Sequence, residues 1–211
     1  MKTIIINASP RKNWNTAQLL LEAKRGAESA GADVEYIDLY DLNFTGCRSC
    51  LVCKAKGAEK AKCFWKDDLS PVIDRIFHAD NLIIGSPIYF GEPTAHYRAL
   101  LERVLFCALS YNGDLFAFDG KVNVGIIYTM NVTKEGYEDN LKSYLAIQEN
   151  SLKTFLHGDV RVYASCDTLQ VSDYSKYLMG GFDEAAKKVQ REKQFPIDLK
   201  AAFDMGLEMS Q

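Results

Sequence analysis

Long apolar runs are missing from this 211-residue chain. No stretch approaches the roughly 18 apolar residues that a membrane-spanning helix needs, so no membrane role is expected. A strong charge of either sign is missing as well. The 25 Lys and Arg against 28 Asp and Glu leave −3, which gives no positive field to recommend nucleic acid as a partner. Two phosphate-binding motifs are absent. There is no G-x-x-x-x-G-K-[ST], and no G-x-G-x-x-G follows the first apolar run, so neither a P-loop nucleotide triphosphatase nor Rossmann-type dinucleotide binding is supported. The chain goes directly into an apolar run with no signal-peptide pattern, and the expected compartment is the cytoplasm. In that compartment six cysteines are more often thiols or metal ligands than disulfides.

What is present is an alternation. The β-branched run Lys2–Asn7 reads as a buried strand. Helical spacing follows from Asn15, with Gly31 as its stop. Asp33–Leu42 reads as a second strand, and Cys47–Lys66 as a loop rich in Cys, Lys and Gly. A short helix begins with Ser70 as N-cap and Pro71 at the first helical position. Asp80–Pro87, Lys121–Met130 and Asp159–Cys166 read as strands three to five. A helix from Pro93 lies between the first two of these. A long helix, Tyr137–Gly158, closed by His157 and Gly158, precedes the last. A final strong helix starts near Gly181, and Pro196–Met209 reads as a separate short one. Near-continuous apolar strands alternating with helices imply a parallel sheet covered on both faces. No linker or repeat interrupts residues 1–211, so one domain is expected.

In an open sheet of strand order 2-1-3-4-5, ligands sit at the carboxyl edge where the winding reverses, between strands one and three. The segments leaving those strands are "NASPRKNWNT" and "GSPIYFG". The first offers Ser9, Asn15 and Thr16 with the cations Arg11 and Lys12, running into a helix N-terminus whose N–H groups and dipole favour an anion. Helix capping alone would explain Asn15 or Thr16 but not the two cations. The second segment places Pro87, Ile88, Tyr89 and Phe90 between glycines, where a flat ring system has room to lie. Packing of these aromatics on the protein itself is the competing reading. Thr129, Met130 and Asn131 end strand four at the same edge.

These two motifs and the order of the βα units resemble the flavodoxin-like NAD(P)H-dependent FMN reductases, and most nearly their iron–sulfur flavoprotein branch. The resemblance spans Lys2 to Cys166. It implies a flavodoxin-like three-layer sandwich with a five-stranded parallel sheet. It implies FMN with its phosphate at Ser9, Arg11, Asn15 and Thr16. The isoalloxazine would then lie against Pro87, Ile88, Tyr89, Phe90 and Gly91, with Thr129, Met130 and Asn131 as a third wall. A homodimer or homotetramer is also implied. The chemistry would then belong to flavin N5, with NAD(P)H as donor, and no side chain is required as a general acid or base. His78, His96 and His157 are read as solvated or capping residues.

Cys47, Cys50 and Cys53 form C-x2-C-x2-C, and Cys63 follows after nine residues. The triplet is the spacing that reaches three corners of a [4Fe-4S] cluster. The longer final gap departs from the compact run of the iron–sulfur branch, although loops absorb extra length cheaply. Three readings stand at this point: a cluster, a four-cysteine zinc site, or unligated thiols. Cys107 and Cys166 are read as packing residues. The functional expectation is a reductase passing electrons from a nicotinamide to a quinone, nitro, metal or flavin acceptor. Its partner would be a small-molecule redox substrate or a redox protein. The alternatives are an electron-transfer flavoprotein without substrate turnover and a non-enzymatic FMN-binding module.

Overall fold

The expected strand segments pair in one parallel sheet. The computed structural model describes all 211 residues. Strand β1 (Lys2–Asn7) lies between β2 (Asp33–Asp38) and β3 (Asn81–Tyr89), followed by β5 (Val122–Thr129) and β6 (His157–Ser165). The order β2-β1-β3-β5-β6 is the flavodoxin-like order, with the two-residue β4 (Glu92–Pro93) added antiparallel to β3. The central strands are buried along nearly their whole length because helices cover both faces.

On one face α2 (Leu69–Phe77), α3 (Ala95–Ala108) and α5 (Lys142–Leu156) enclose the larger core, built around Ile4, Ile6, Leu82, Ile84, Val124 and Ile126. The alternate residues Ile5, Ile83 and Ile127 face α1 (Asn15–Ser29) and α6 (Glu184–Met209). A short α4 (Lys134–Gly136) and a π-helical turn, Tyr137–Leu141, lead into α5. The helices α1 and α6 touch backbone to backbone. A Cβ on Gly206 would stand 1.9 Å from the Ala23 carbonyl oxygen, and one on Gly26 would stand 2.0 Å from that of Phe203. No helix is long and apolar enough to cross a membrane.

Several boundaries differ from the sequence reading. Strand β2 ends at Asp38, and Leu39–Asp41 forms a 3-10 turn where the strand was expected to run on to Leu42. Strand β3 continues past Pro87 to Tyr89 and turns back through Phe90 and Gly91, both at positive φ (52° and 85°). Two left-handed residues in a two-residue hairpin make a type I′ turn, whose twist matches the strands it joins. Helix α2 starts at Leu69, and its first N–H groups are capped by the Asp67 carboxylate, which accepts from Leu69 and Ser70 at 3.2 Å. Ser70 is therefore not the cap. The left-handed C-cap of α5 is His157 rather than Gly158, which already lies in β6. Residues 184–209 form one helix containing Pro196, not two, since apolar residues on both sides of the proline dock on the same sheet face.

Candidate functional site

Loops leaving β1, β3, β5 and β6 meet at the carboxyl edge of the sheet and line an open cleft. Ten of the twelve residues expected to bind a cofactor line it: Ser9, Arg11, Asn15 and Thr16 from the first loop, Pro87, Ile88 and Tyr89 from β3, and Thr129, Met130 and Asn131 after β5. Phe90 and Gly91 do not, because they form the hairpin tip, where Phe90 stands fully exposed.

The first loop is held rigidly. The Asn7 amide donates to Asp38 at 2.7 Å while its carbonyl accepts from the Ser9 N–H at 3.0 Å, and the Ser9 hydroxyl accepts from the Arg11 N–H at 3.1 Å. The loop then enters α1 with Trp14 at the N-cap and no side chain capping the helix. Orphan N–H groups of the first turn are therefore left to a ligand or to water. Neither Asn15 nor Thr16 is a cap. The Asn15 amide donates to the Leu169 carbonyl at 2.9 Å and its oxygen accepts from Arg191. Thr16, in the first turn of α1, and Thr129, at the end of β5, share a hydroxyl–hydroxyl bond of 2.8 Å. Lys12 does not line the cleft; its ammonium pairs with Asp41.

Four further residues complete the walls: Trp14, Thr168, Gln170 and Met179. The last three come from the irregular stretch after β6. Trp14 Nε1 donates to the Leu169 carbonyl at 3.1 Å, and Arg11 donates to the Gln170 carbonyl at 2.5 Å. The side-chain oxygen of Gln170 is buried and has no partner. Helix α6 supports both sides from behind. Lys187 bonds the carbonyl and side chain of Asn131 and pairs with Asp167, while Arg191 reaches Asn15 and also donates to Gln18 at 2.6 Å. Thr168 and Gln170 were legible in principle. They leave the fifth parallel strand at the same edge, so the rule applied to the other strand ends covers them too. None of the three histidines enters the cleft. His157 and His78 sit at helix ends, and His96 stacks on Tyr40 at 3.8 Å.

The cysteine-rich loop makes a second, tight pocket. Cys47, Cys50, Cys53 and Cys63 all line it, together with Phe64, Trp65 and Phe106. Cys107 of α3 joins them from the core, where it is buried among apolar residues as its packing reading expects. Arg103, only 2% exposed, donates to the Cys63 sulfur at 3.2 Å and to Asp67 at 2.5 Å. The Cys63 thiol is lowered to about 5. The Cys107 hydrogen bond leads, burial opposes it, and the Trp65 N–H, Arg103 and Ser70 add to the lowering. The same hydrogen bond, together with burial, pushes the Cys107 thiol up. Tetrahedral zinc would draw its sulfurs to about 3.8 Å from one another, given Zn–S of about 2.3 Å. No trio of His, Cys, Asp or Glu is gathered closely enough for a single metal ion.

The model of a family described as NADPH-dependent FMN reductase matches residues 1–147, more than two thirds of the chain. The chain belongs to that family. Its fold is that of several solved oxidoreductases. An NAD(P)H:quinone oxidoreductase from Methanothermobacter marburgensis superimposes with a TM-score of 0.67 at 18% identity, covering 100% of this chain and 98% of that one. An azoreductase from Bacillus anthracis does so at 0.65 and 12% identity, covering 98% and 99%. Among curated proteins, an iron–sulfur flavoprotein of Methanocaldococcus jannaschii is 37% identical over 103 residues, 49% of this chain and 51% of its own. One from Archaeoglobus fulgidus is 35% identical over 103 residues, 49% and 48% respectively. The chain thus spans about half the length of these relatives.

The cleft of this FMN reductase family member meets the demands of FMN on its own features. Uncapped helix N–H groups answer a phosphate, Pro87 to Tyr89 and Trp14 offer flat apolar walls, and the orphan Gln170 oxygen is an acceptor for a ligand N–H or O–H.

Proposed function

We propose that the chain is an NAD(P)H-dependent FMN oxidoreductase whose cofactor occupies the cleft between β1, β3 and β5. The observation that carries this reading is the convergence of an uncapped helix N-terminus and an apolar wall at the winding reversal of a family-matched sheet. When bound there, FMN supplies hydride acceptance at its N5 and onward release of electrons. The protein's part is holding and shielding. Ser9, Thr16 and the first-turn N–H groups of α1 hold the phosphate, and the Arg11 guanidinium adds charge at the cleft wall. Pro87, Ile88 and Tyr89 back one side of the ring and Thr129, Met130 and Asn131 another. Asn15 acts indirectly, by tying the segment after β6 over the site. Quinones, nitro compounds, metals and flavins are the acceptor classes in this reading. Phe90 and the half-exposed Tyr89 at the cleft mouth favour completion of the site by a second copy of the chain. The test is anaerobic addition of NADPH to the FMN-loaded protein. Stoichiometric bleaching of the flavin's visible absorbance supports the reading, and an unbleached spectrum with both NADPH and NADH rejects it.

A second reading adds a [4Fe-4S] cluster on Cys47, Cys50, Cys53 and Cys63, making the protein an electron carrier between flavin and a redox partner. Four cysteines lining one apolar-walled pocket, with the buried cation Arg103 beside them, support it. So does the iron–sulfur description of the curated relatives. Iron and sulfide analysis of the anaerobically purified protein tests it. Four irons per chain are expected, and iron-free protein of full flavin content would reject it.

A further inference from the structure

We propose that Arg103 sets the electron affinity of the cluster through its hydrogen bond to the Cys63 sulfur, an inference that rests on the cluster reading. Arg103 is among the largest fully buried side chains in the protein. A guanidinium is seldom taken out of water unless every N–H finds a partner and an anion answers the charge. One arm of the fork goes to Asp67 at 2.5 Å and the Thr45 carbonyl at 3.3 Å. The other goes to the Ser70 hydroxyl at 2.6 Å and the Cys63 sulfur at 3.2 Å. Asp67 is itself committed, since its second oxygen already accepts the Leu69 and Ser70 N–H groups. An ion pair alone would need only a point charge, which lysine supplies. A planar fork with one arm on a carboxylate and the other on a sulfur calls for arginine.

The guanidinium also resolves the long gap in the cysteine motif. Thr45 precedes Cys47, while Cys63, Asp67 and Ser70 follow the nine-residue insertion. One side chain of α3 therefore fastens both ends of the loop. Of the two cysteines that could close the set, it selects Cys63 by direct contact and leaves Cys107 as a neighbour.

Hydrogen bonds to a ligand sulfur and positive charge nearby favour the more negative, reduced form of a cluster and so raise its potential. Asp67 acts in the opposite sense by compensating that charge. Arg103→Lys, which shortens the reach to the sulfur, should lower the potential, and Asp67→Asn, which leaves the guanidinium uncompensated, should raise it. Two substitutions in one ion pair would then shift the cluster in opposite directions. Loss of a purely structural contact would not do that.

The experiment reconstitutes the full-length wild type and both variants anaerobically with iron and sulfide. Circular dichroism and iron content are checked, and the cluster is titrated by electron paramagnetic resonance. Each variant is expected to change the reduced-to-oxidised ratio at the wild-type midpoint about tenfold, which is 59 mV for a one-electron couple, with opposite signs. If Arg103→Lys fails to fold or to hold iron, the upward shift in Asp67→Asn alone decides. Shifts of the same sign, or none, in iron-loaded protein overturn the role of Arg103 and leave the cluster standing. Wild-type protein that takes up no iron overturns both.

Discussion

Replacing Gly206 with alanine inside α6 should destabilise the protein, against the usual rule for helices. Helix propensity alone predicts a gain of about 1 kcal/mol. At Gly206 the new methyl would lie 1.9 Å from the Ala23 carbonyl oxygen, about 1.5 Å short of ordinary contact at 3.4 Å. The obstacle is backbone, so no side-chain rotation relieves it, and α6 must move away from α1. Overpacking of this kind costs about 1–3 kcal/mol. After the propensity gain, roughly 1–2 kcal/mol of destabilisation remains near the upper end of that range. For a chain of this length that is a fall in Tm of about 2–8 °C. Thermal unfolding followed by circular dichroism reads it. A rise in Tm would refute the close approach of the two helices. The same displacement should loosen Lys187 and Arg191 behind the cleft, so FMN affinity should fall in parallel. Lower stability with unchanged affinity would show that α6 does not support the site.

Other perturbations probe particular contacts. Arg191→Met removes the partner of Asn15 and Gln18 and should weaken FMN binding about tenfold, a loss of about 1.4 kcal/mol, as read by fluorescence titration. In Trp65→Phe, Trp14 is the sole tryptophan, and FMN should quench its emission because it lines the cleft; unquenched emission would place the flavin elsewhere. Burial pushes Asp67 upward, but the Arg103 hydrogen bond and charge outweigh it and leave the carboxyl below its usual 3.8. A depressed carboxylate contributes stability above its unfolded pKa and loses it as pH falls through the folded value. Asp67→Asn should therefore be less stable than wild type near neutrality, with the gap closing below about pH 4 in acid titrations of unfolding.

The sheet and most of the cleft were legible because both rest on local signals: β-branched runs, polar turns at strand ends and the alternation that forces a parallel sheet. The hairpin at Phe90–Gly91 was half legible, since the glycine marked a turn but strand pairing decided that β3 runs on to Tyr89. What the sequence hid were contacts between distant segments. Asn15 looked like a cap until Leu169 and Arg191 claimed its amide. Lys12 looked like a phosphate ligand until Asp41 claimed its charge. Arg103 sat unremarked within an amphipathic helix because nothing local shows that position 103 faces a cysteine pocket. Pro196 argued for a break that packing of α6 against the sheet overrides.

The central claim is that the cleft holds a flavin by its monophosphate at the start of α1. Comparing the affinity of the flavin-free protein for FMN and for riboflavin, which lacks only the phosphate, tests it most directly. Two charge-assisted hydrogen bonds at about 1.5 kcal/mol each predict FMN binding at least 100-fold more tightly. Equal affinities would contradict the account.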